Sequence, residues 1–111
     1  MSHGNLHLDS RVIHGGQAPD PTTGAVMPPI YTSSTFVQES PGVHKGFEYS
    51  RSHNATRFAF ERCMASIEGS GLTTEQDTTN GGFAFASGLA ATATALELLD
   101  AGGTILCSDD V

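Results

Sequence analysis

The chain has few basic residues and no long hydrophobic run. Its 111 residues include five Lys and Arg against twelve Asp and Glu, which gives a formal net charge of −7. Proteins that bind nucleic acid or an anionic membrane surface need a basic footprint, and a membrane-spanning helix needs about 20 consecutive apolar residues. We therefore expect neither a nucleic-acid partner nor a membrane partner.

Cysteine is also scarce, and the sequence has neither a leader-like N-terminus nor a metal motif. Cys63 and Cys107 form no C-x-x-C pair, and their apolar neighbours predict small buried side chains rather than a disulfide framework. Residues 1–5 lack the basic segment and apolar core of a signal peptide. The five histidines have no metal-ligand spacing. These features predict a cytoplasmic protein without a metal site.

The C-terminal stretch has the pattern of strand, turn, helix and strand. Residues 83–86 and 104–107 form short apolar runs, which are typical of strands buried on both faces. Between them, residues 89–99 carry apolar side chains at steps of four, three and three, which predicts an amphipathic helix. Because two strands joined by such a helix lie parallel, the sequence predicts an α/β fold.

A serine and a glycine stand where the first of these strands meets the helix. Ser87 can cap the free amides of the first helical turn, and Gly88 lets a ligand approach the backbone closely. The positive end of a helix dipole favours a bound phosphate or carboxylate. An ordinary capped helix is the alternative at this point, since no G-x-G-x-x-G, P-loop or G-x-S-x-G motif surrounds Ser87.

The two predicted strands are too few for a stable parallel sheet, which needs further strands and cover on both faces. We therefore expect the chain to be the N-terminal piece of a larger α/β protein. A small complete domain that finds its missing strands in a partner chain is the less favoured alternative. We divide the sequence into an arm with an extended intersubunit segment, residues 1–53, and the incomplete start of a large domain, residues 54–111.

Proline and glycine interrupt the first half of the chain. Residues 1–14 predict a short helix that ends at the glycine pair 15–16. Residues 17–36 contain four prolines and must run extended or in turns. The helix of residues 1–14 is too short to be stable alone, so we expect an arm that packs on another part of its own chain or on a neighbour.

A second helix is predicted for residues 55–68, with Asn54 as its N-cap. Its apolar stripe consists of Phe60, Cys63, Met64 and Ile67. We expect Phe60 and Ile67 to be core positions of the intact protein. Residues 69–82 contain glycine, threonine and acidic residues with one leucine, which predicts a surface loop.

The basic residues are concentrated in one short stretch. Four of the five lie between positions 45 and 62, namely Lys45, Arg51, Arg57 and Arg62. Tyr49 and Arg51 are two residues apart, so in extended chain their side chains point to the same face. A phenol and a guanidinium side by side are donors suited to phosphate oxygens. The alternative is an ordinary pair of surface side chains.

Several motifs occur in a familiar order between positions 13 and 111. They are Ile13-His14-Gly15-Gly16, Tyr49-Ser50-Arg51 followed by Asn54, Thr56 and Arg57, then Ser87-Gly88-Leu89-Ala90-Ala91, and Asp109-Asp110. On these residues the chain resembles the fold-type I pyridoxal-phosphate (PLP) enzymes of cysteine and methionine metabolism, which include cystathionine γ-synthase, γ-lyase and β-lyase. Ala55 departs from the family, which usually has proline there; proline is favourable but dispensable at a first helical position.

The resemblance implies an N-terminal arm followed by the start of a PLP-binding large domain, mainly parallel sheet with flanking helices. It also implies cofactor-binding roles for five residues. The amides at Ser87, Gly88 and Leu89 hold the phosphate of PLP, and Tyr49 and Arg51 reach the same phosphate from the adjacent subunit. The family's arm crosses to a neighbouring subunit of a homotetramer, so we expect a homo-oligomer with sites shared between subunits.

The resemblance further implies a trans-sulfuration enzyme that acts on an amino-acid substrate, cystathionine or an O-acyl-homoserine, by C–S bond cleavage or γ-replacement. Synthase, lyase and sulfhydrylase activities stay open. We expect no catalytic residue in this chain, since the family's cofactor-bearing lysine and ring-stacking aromatic come beyond Val111, and Lys45 lies in a glycine-flanked loop. The alternatives are a truncated chain that only associates with full-length subunits, and an unrelated α/β anion-binding domain.

Overall fold

The structure is a computed structural model that describes residues 6–68 and 81–110. Its elements, in chain order, are α1 (Leu8–His14), β1 (Gln38–Ser40), β2 (Val43–His44), α2 (Ala55–Ile67) and α3 (Gly88–Leu96). β1 and β2 form an antiparallel hairpin with an irregular register. No helix in the described ranges has the length and apolarity of a membrane span.

Helix α2 begins where its cap predicts. Asn54 has extended backbone angles, and its Oδ1 accepts the N–H groups of Thr56 at 2.9 Å and Arg57 at 3.3 Å. These bonds satisfy two of the amides that a helix start leaves without partners. The helix forms with Ala55 at its first position, and the predicted helix over 55–68 is confirmed to within one residue.

Helix α1 and the glycine pair that follows it pack against α2. Arg11 Nη1 donates to Ser66 O at 2.8 Å, and Arg62 Nε donates to Gly16 O at 3.1 Å. Gly16 has φ +66°, and a Cβ there would lie 2.4 Å from the carbonyl carbon of Arg62. The predicted arm helix ending at this glycine pair is confirmed. Glycine is needed because the turn lies directly on the backbone of α2.

Small side chains and one acid form the buried face of α2. Ala59, Glu61 and Ala65 are 5%, 5% and 3% exposed, whereas Phe60 is 58% exposed. The described residues therefore bury only part of the apolar stripe predicted for this helix: Cys63 and Ile67 are half-buried, whereas Phe60 and Met64 are exposed. Burial of Phe60 in the intact protein stays a prediction.

A row of aromatic rings connects the residues that flank the hairpin to α2. The Phe47 ring lies 5.5 Å from the ring of Phe36 and 5.9 Å from that of Phe58, and the His53 ring lies 5.4 Å from Phe58. All three contacts are tilted or edge-on, the geometries that aromatic pairs prefer. These contacts therefore pack the chain between residues 36 and 53 against Phe58 of α2.

The proline-rich segment before the hairpin is organised by an aspartate. Asp20 Oδ1 accepts the backbone N–H groups of Thr23 and Thr22, and also the Thr23 hydroxyl. The bonds from Thr23, followed by that from Thr22, lower the pKa of Asp20 below its ordinary value. As predicted, residues 17–36 contain turns and extended chain without a helix.

The C-terminal part departs from the sequence prediction. Neither residues 83–86 nor residues 104–107 form a strand, and α3 ends at Leu96, before the end of the predicted helical stripe. A parallel pair forms only with further strands and with cover on both faces, and the described residues supply neither. Phe83 and Leu106 are consequently 86% and 97% exposed. The prediction of two paired strands is wrong for this chain.

Two further sequence predictions concern cysteine burial and the loop before residue 83. Cys63 is half-buried, but Cys107 is exposed, so the prediction that both are buried is wrong for Cys107. Cys107 lies in the unpaired C-terminal run, where no strand of the described residues covers it. Residues 69–80 of the predicted surface loop lie outside the described residues.

Alanine at Gly16 should be far more damaging than alanine at Gly24. Both glycines have positive φ, +66° and +71°, but no residue that the structure describes lies within 4 Å of a Cβ at Gly24. Gly24→Ala should cost about 1–2 kcal/mol for the left-handed backbone, and Gly16→Ala about 1–3 kcal/mol more for the forced displacement of α2. Thermal unfolding of the two full-length variants measures the difference. Equal losses would contradict close packing of the arm on α2.

Candidate functional site

Tyr49 and Arg51 lie together on an exposed turn. The guanidinium carbon of Arg51 is 5.1 Å from the centroid of the Tyr49 ring, and Tyr49 is 38% exposed. The backbone between them is a turn rather than an extended strand, since the N–H groups of Ser52 and His53 both bond to Tyr49 O. The turn brings a phenol and a guanidinium to one surface. We call this pair the anion clamp.

The preceding chain holds one side of the turn. Ser50 N donates to Ser34 O at 2.8 Å, the Ser50 hydroxyl donates to Ser33 O, and Thr35 forms an antiparallel bridge with Tyr49. Backbone pairing of this kind fixes the direction of the chain on both sides of Tyr49. The anion clamp is therefore mounted on ordered backbone even though its side chains are exposed.

The first turn of α2 holds the other side. Asn54 Nδ2 donates to Tyr31 O and to Ser50 Oγ, both at 3.1 Å. The Thr56 hydroxyl accepts from Tyr31 N at 2.8 Å and donates to Pro29 O at 3.1 Å. Asn54 thus caps the helix with its oxygen and fastens two loops with its nitrogen. The Asn-x-Thr-Arg motif consequently has a structural role that the sequence patterns do not reveal.

Arg57 also holds this turn, through hydrogen bonds to its backbone carbonyls. Its Nη1 donates to Ser50 O and Arg51 O at 3.3 Å each, and its Nη2 donates to Ser52 O at 2.5 Å. Its Nε lies 3.4 Å from Glu61 Oε1. The spacing of four between Arg57 and Glu61, typical of helical ion pairs, is the one sequence signal from which this link could have been found.

Glu61 connects α2 to the segment that leads to Ser87. Its carboxylate accepts the backbone N–H of Ala84 at 2.9 Å, and the residue is 5% exposed. A buried carboxylate is tolerated when it is paired and hydrogen-bonded. Both conditions are met here, by Arg57 and by Ala84. Glu61 therefore attaches the segment around Ala84 to the same helix whose Arg57 holds the turn of the anion clamp.

Ser87, Gly88 and Leu89 form the exposed beginning of α3, which we call the phosphate cradle. The Ser87 hydroxyl oxygen accepts the N–H of Ala90 at 3.1 Å, and its own hydrogen stays available to donate. Among the described residues, nothing lies within 4 Å of a Cβ built on Gly88. The first amides of a helix lack partners within the helix, so this end can accept an anion without steric obstruction.

The structure does not join the anion clamp to the phosphate cradle. Within the described residues, α3 contacts no other helix or strand, and no hydrogen bond or ring contact links residues 49–51 to residues 87–89. The two groups are separate parts of one chain. Their meeting on one phosphate, across a subunit boundary, stays a prediction.

The residues present fit the phosphate of PLP. A dianion is stabilised by helix amides at the positive end of a helix dipole and by a guanidinium, and the chain exposes both kinds of donor together with two hydroxyls. A metal centre has no comparable support, since the described parts of the chain contain no group of three His, Cys, Asp or Glu side chains placed to hold an ion.

Comparison with known proteins agrees with this site. Residues 9–111 match the family described as Cys/Met metabolism PLP-dependent enzyme. The match covers almost the whole chain, so the protein belongs to this family of PLP-dependent enzymes. The predicted family and its cofactor are confirmed, and the alternative of an unrelated anion-binding domain is excluded.

Relatives of the chain carry several names within the family. The chain is 61% identical over 105 residues to cystathionine beta-lyase of Coxiella burnetii, covering 95% of this chain and 25% of the relative. It is 48% identical over 106 residues to human cystathionine gamma-lyase, covering 95% and 24%. It is 43% identical over 102 residues to a probable cystathionine gamma-synthase of Herpetosiphon aurantiacus, covering 92% and 29%. The chain thus spans about a quarter of the length of these relatives.

Solved structures show the same similarity in three dimensions. Cystathionine gamma-lyase from Lactobacillus plantarum, complexed with L-serine, aligns with TM-score 0.70 and 43% identity over 87% of this chain and 23% of that one. The structure of metB from Corynebacterium glutamicum aligns with TM-score 0.73 and 34% identity over 88% and 23%. The predicted fold class, the start of a fold-type I large domain, is confirmed.

Two substitutions of Ser87 should distinguish its role as the N-cap of α3 from its role as a hydroxyl donor to the phosphate. Ser87→Gly keeps most of the helix-start stability, because glycine is nearly as good an N-cap as serine, whereas Ser87→Ala should cost about 1 kcal/mol. Both variants should weaken PLP binding by the full-length protein about tenfold to a hundredfold, the value of one hydrogen bond to a charged group. Titration of the apoprotein with PLP measures this. Unchanged affinity in Ser87→Gly would show that Ser87 is only a cap.

Proposed function

We propose that this chain is part of a PLP-dependent trans-sulfuration enzyme that acts on cystathionine or on an O-acyl-homoserine, by C–S bond cleavage or by γ-replacement. The family membership over residues 9–111 supports PLP chemistry. The relatives named cystathionine beta-lyase, gamma-lyase and gamma-synthase support this substrate class. When bound, PLP withdraws electrons from the substrate carbon next to the amino group.

The observation that carries the proposal is the anion clamp, together with the hydrogen bonds that hold its turn in place. An exposed tyrosine and arginine, 5.1 Å apart by guanidinium carbon and ring centroid, lie above backbone that side chains of α2 hold in place. Ordering a turn costs conformational entropy, and these hydrogen bonds offset that cost at the residues that carry the clamp. In the proposal the clamp binds the phosphate of the cofactor.

The residues of this chain have binding roles in the proposal. Ser87, Gly88 and Leu89 hold the phosphate through amides and one hydroxyl, and Tyr49 and Arg51 bind it from the adjacent subunit. The amino-acid substrate is processed by residues outside residues 1–111, because Lys45, the sole lysine here, lies in the hairpin region. This chain therefore anchors the cofactor and takes no part in proton transfer.

A homo-oligomer, most simply a tetramer, is part of the proposal. The clamp and the cradle do not meet within the chain, and many large apolar side chains are exposed, including Phe83, Leu89 and Leu106 at 80% or more. Exposed apolar area of this extent is typical of surfaces that other protein covers. We also propose a cytoplasmic location, because both cysteines are free thiols, which persist in a reducing compartment.

Activity assays of the full-length protein decide among the reactions. Incubation with cystathionine, and separately with an O-acyl-homoserine plus cysteine, should consume one of these substrates and release the corresponding thiol, keto acid or cystathionine. Inactivity towards both, in a protein that binds PLP, would support a chain that only associates with active subunits.

Arg51→Ala in the full-length protein should weaken PLP binding by about tenfold to a hundredfold. A charged hydrogen-bonded contact contributes roughly 1.5–3 kcal/mol, and Arg51 is the only cation of the clamp. Titration with PLP measures the loss, and pyridoxal, which lacks the phosphate, is the control ligand whose affinity should not change. Unchanged PLP affinity would mean that Tyr49 and Arg51 are an ordinary surface pair.

Mixed oligomers test whether the clamp acts across subunits. Arg51→Ala subunits should regain activity when assembled with subunits that have an intact Arg51 but lack the cofactor-bearing lysine. Each such mixed pair contains one site with a good lysine and a neighbour's good clamp. Mixed oligomers that assemble and recover no activity would place the clamp and the cradle of each site on the same chain.

A further inference from the structure

We propose that Arg57 is a positioning residue for the anion clamp: held by Glu61, its guanidinium fixes the turn that carries Tyr49 and Arg51 and does not bind the phosphate itself. The inference rests on the proposed function and assigns a role within it that neither the motif nor the family description specifies. It follows from the acceptors to which the guanidinium nitrogens of Arg57 donate.

The carbonyl groups of three consecutive residues converge on Arg57. Nη1 bonds to Ser50 O and Arg51 O, and Nη2 bonds to Ser52 O. Parallel carbonyl dipoles that point at one place repel each other unless a donor lies between them, and a cation is the strongest such donor. Arg57 therefore stabilises the turn conformation in which Tyr49 and Arg51 face the same side.

Glu61 sets the direction of the guanidinium. Its Oε1 lies 3.4 Å from Arg57 Nε, and the side chains are 6% exposed for Glu61 and 30% for Arg57. The carboxylate also bonds to Ala84 N, so it is fixed from a second side. All three nitrogens of Arg57 thus face protein acceptors, which leaves the guanidinium without a free fork for a phosphate.

Arg62 is a matched comparison on the same helix. It too donates from Nε to a backbone carbonyl, that of Gly16 at 3.1 Å, but this bond serves the arm and not the clamp. Both arginines are half-buried and belong to α2. Replacing either by lysine keeps the positive charge and removes the planar fork. Only the replacement of Arg57 should change how the protein binds a phosphate.

The test is a comparison of PLP and pyridoxal binding by full-length apoprotein. Arg57→Lys should weaken PLP binding by about tenfold and leave pyridoxal binding within about twofold, because only the phosphate contact depends on the clamp. Arg62→Lys should change the affinity for neither ligand. In the Arg51→Ala background, Arg57→Lys should have a clearly smaller effect than in the wild-type background, because only the Tyr49 contact is left to be positioned and residues that act through one another are non-additive.

Glu61→Gln is a second variant that keeps the acceptor for Ala84 and removes the charge that orients Arg57. It should show a smaller loss of PLP affinity with the same selectivity for the phosphate. This variant keeps the inference testable if Arg57→Lys fails to fold.

Each contrary result has its own meaning. Equal losses for PLP and pyridoxal would give Arg57 a general structural role and overturn the inference. Full additivity with Arg51→Ala would mean that Arg57 binds the phosphate directly, which also overturns it. If Arg51→Ala weakens PLP binding but Arg57→Lys and Glu61→Gln do not, only the positioning role fails. Unchanged PLP affinity in Arg51→Ala itself would overturn the proposed clamp together with this inference.

Discussion

The first turn of α2 is the constraint on which the rest of the structure depends. Asn54, Thr56 and Arg57 use a single helix start to cap the helix, to fasten the extended segment at residues 29–31 and to hold the turn at residues 50–52. A helix start is suited to this work because it combines fixed backbone geometry with side chains that radiate from one point. Without it, these two segments of irregular chain would lack a common anchor.

The same helix contacts both the arm and the segment that leads to α3. Gly16 lies against the backbone of Arg62, and Glu61 accepts the N–H of Ala84. The ion pair of Glu61 with Arg57 then links the C-terminal segment to the turn that carries the clamp. Much of the remaining apolar surface is exposed, so side-chain hydrogen bonds to backbone carbonyls, rather than a large core, organise the described residues.

Local signals in the sequence predicted the local structure well. The cap at Asn54, the glycine pair 15–16 and the prolines before residue 36 each act within a few residues, and the structure confirms all three predictions. The paired strands at 83–86 and 104–107 did not form, because strand pairing depends on neighbours that a local pattern cannot supply. The roles of Thr56, Arg57 and Glu61 were missed because their partners lie on loops without periodicity.

A structure of the full-length protein with PLP bound tests most directly whether the anion clamp of one subunit and the phosphate cradle of its neighbour bind the same phosphate. We expect the side chains of Tyr49 and Arg51 from one subunit within hydrogen-bond distance, about 2.7–3.2 Å, of a phosphate held by Ser87, Gly88 and Leu89 of the neighbouring subunit. Arg57 should still bind the carbonyls beneath the turn. A phosphate bound by Arg57, or by the clamp and cradle of a single chain, would contradict this account.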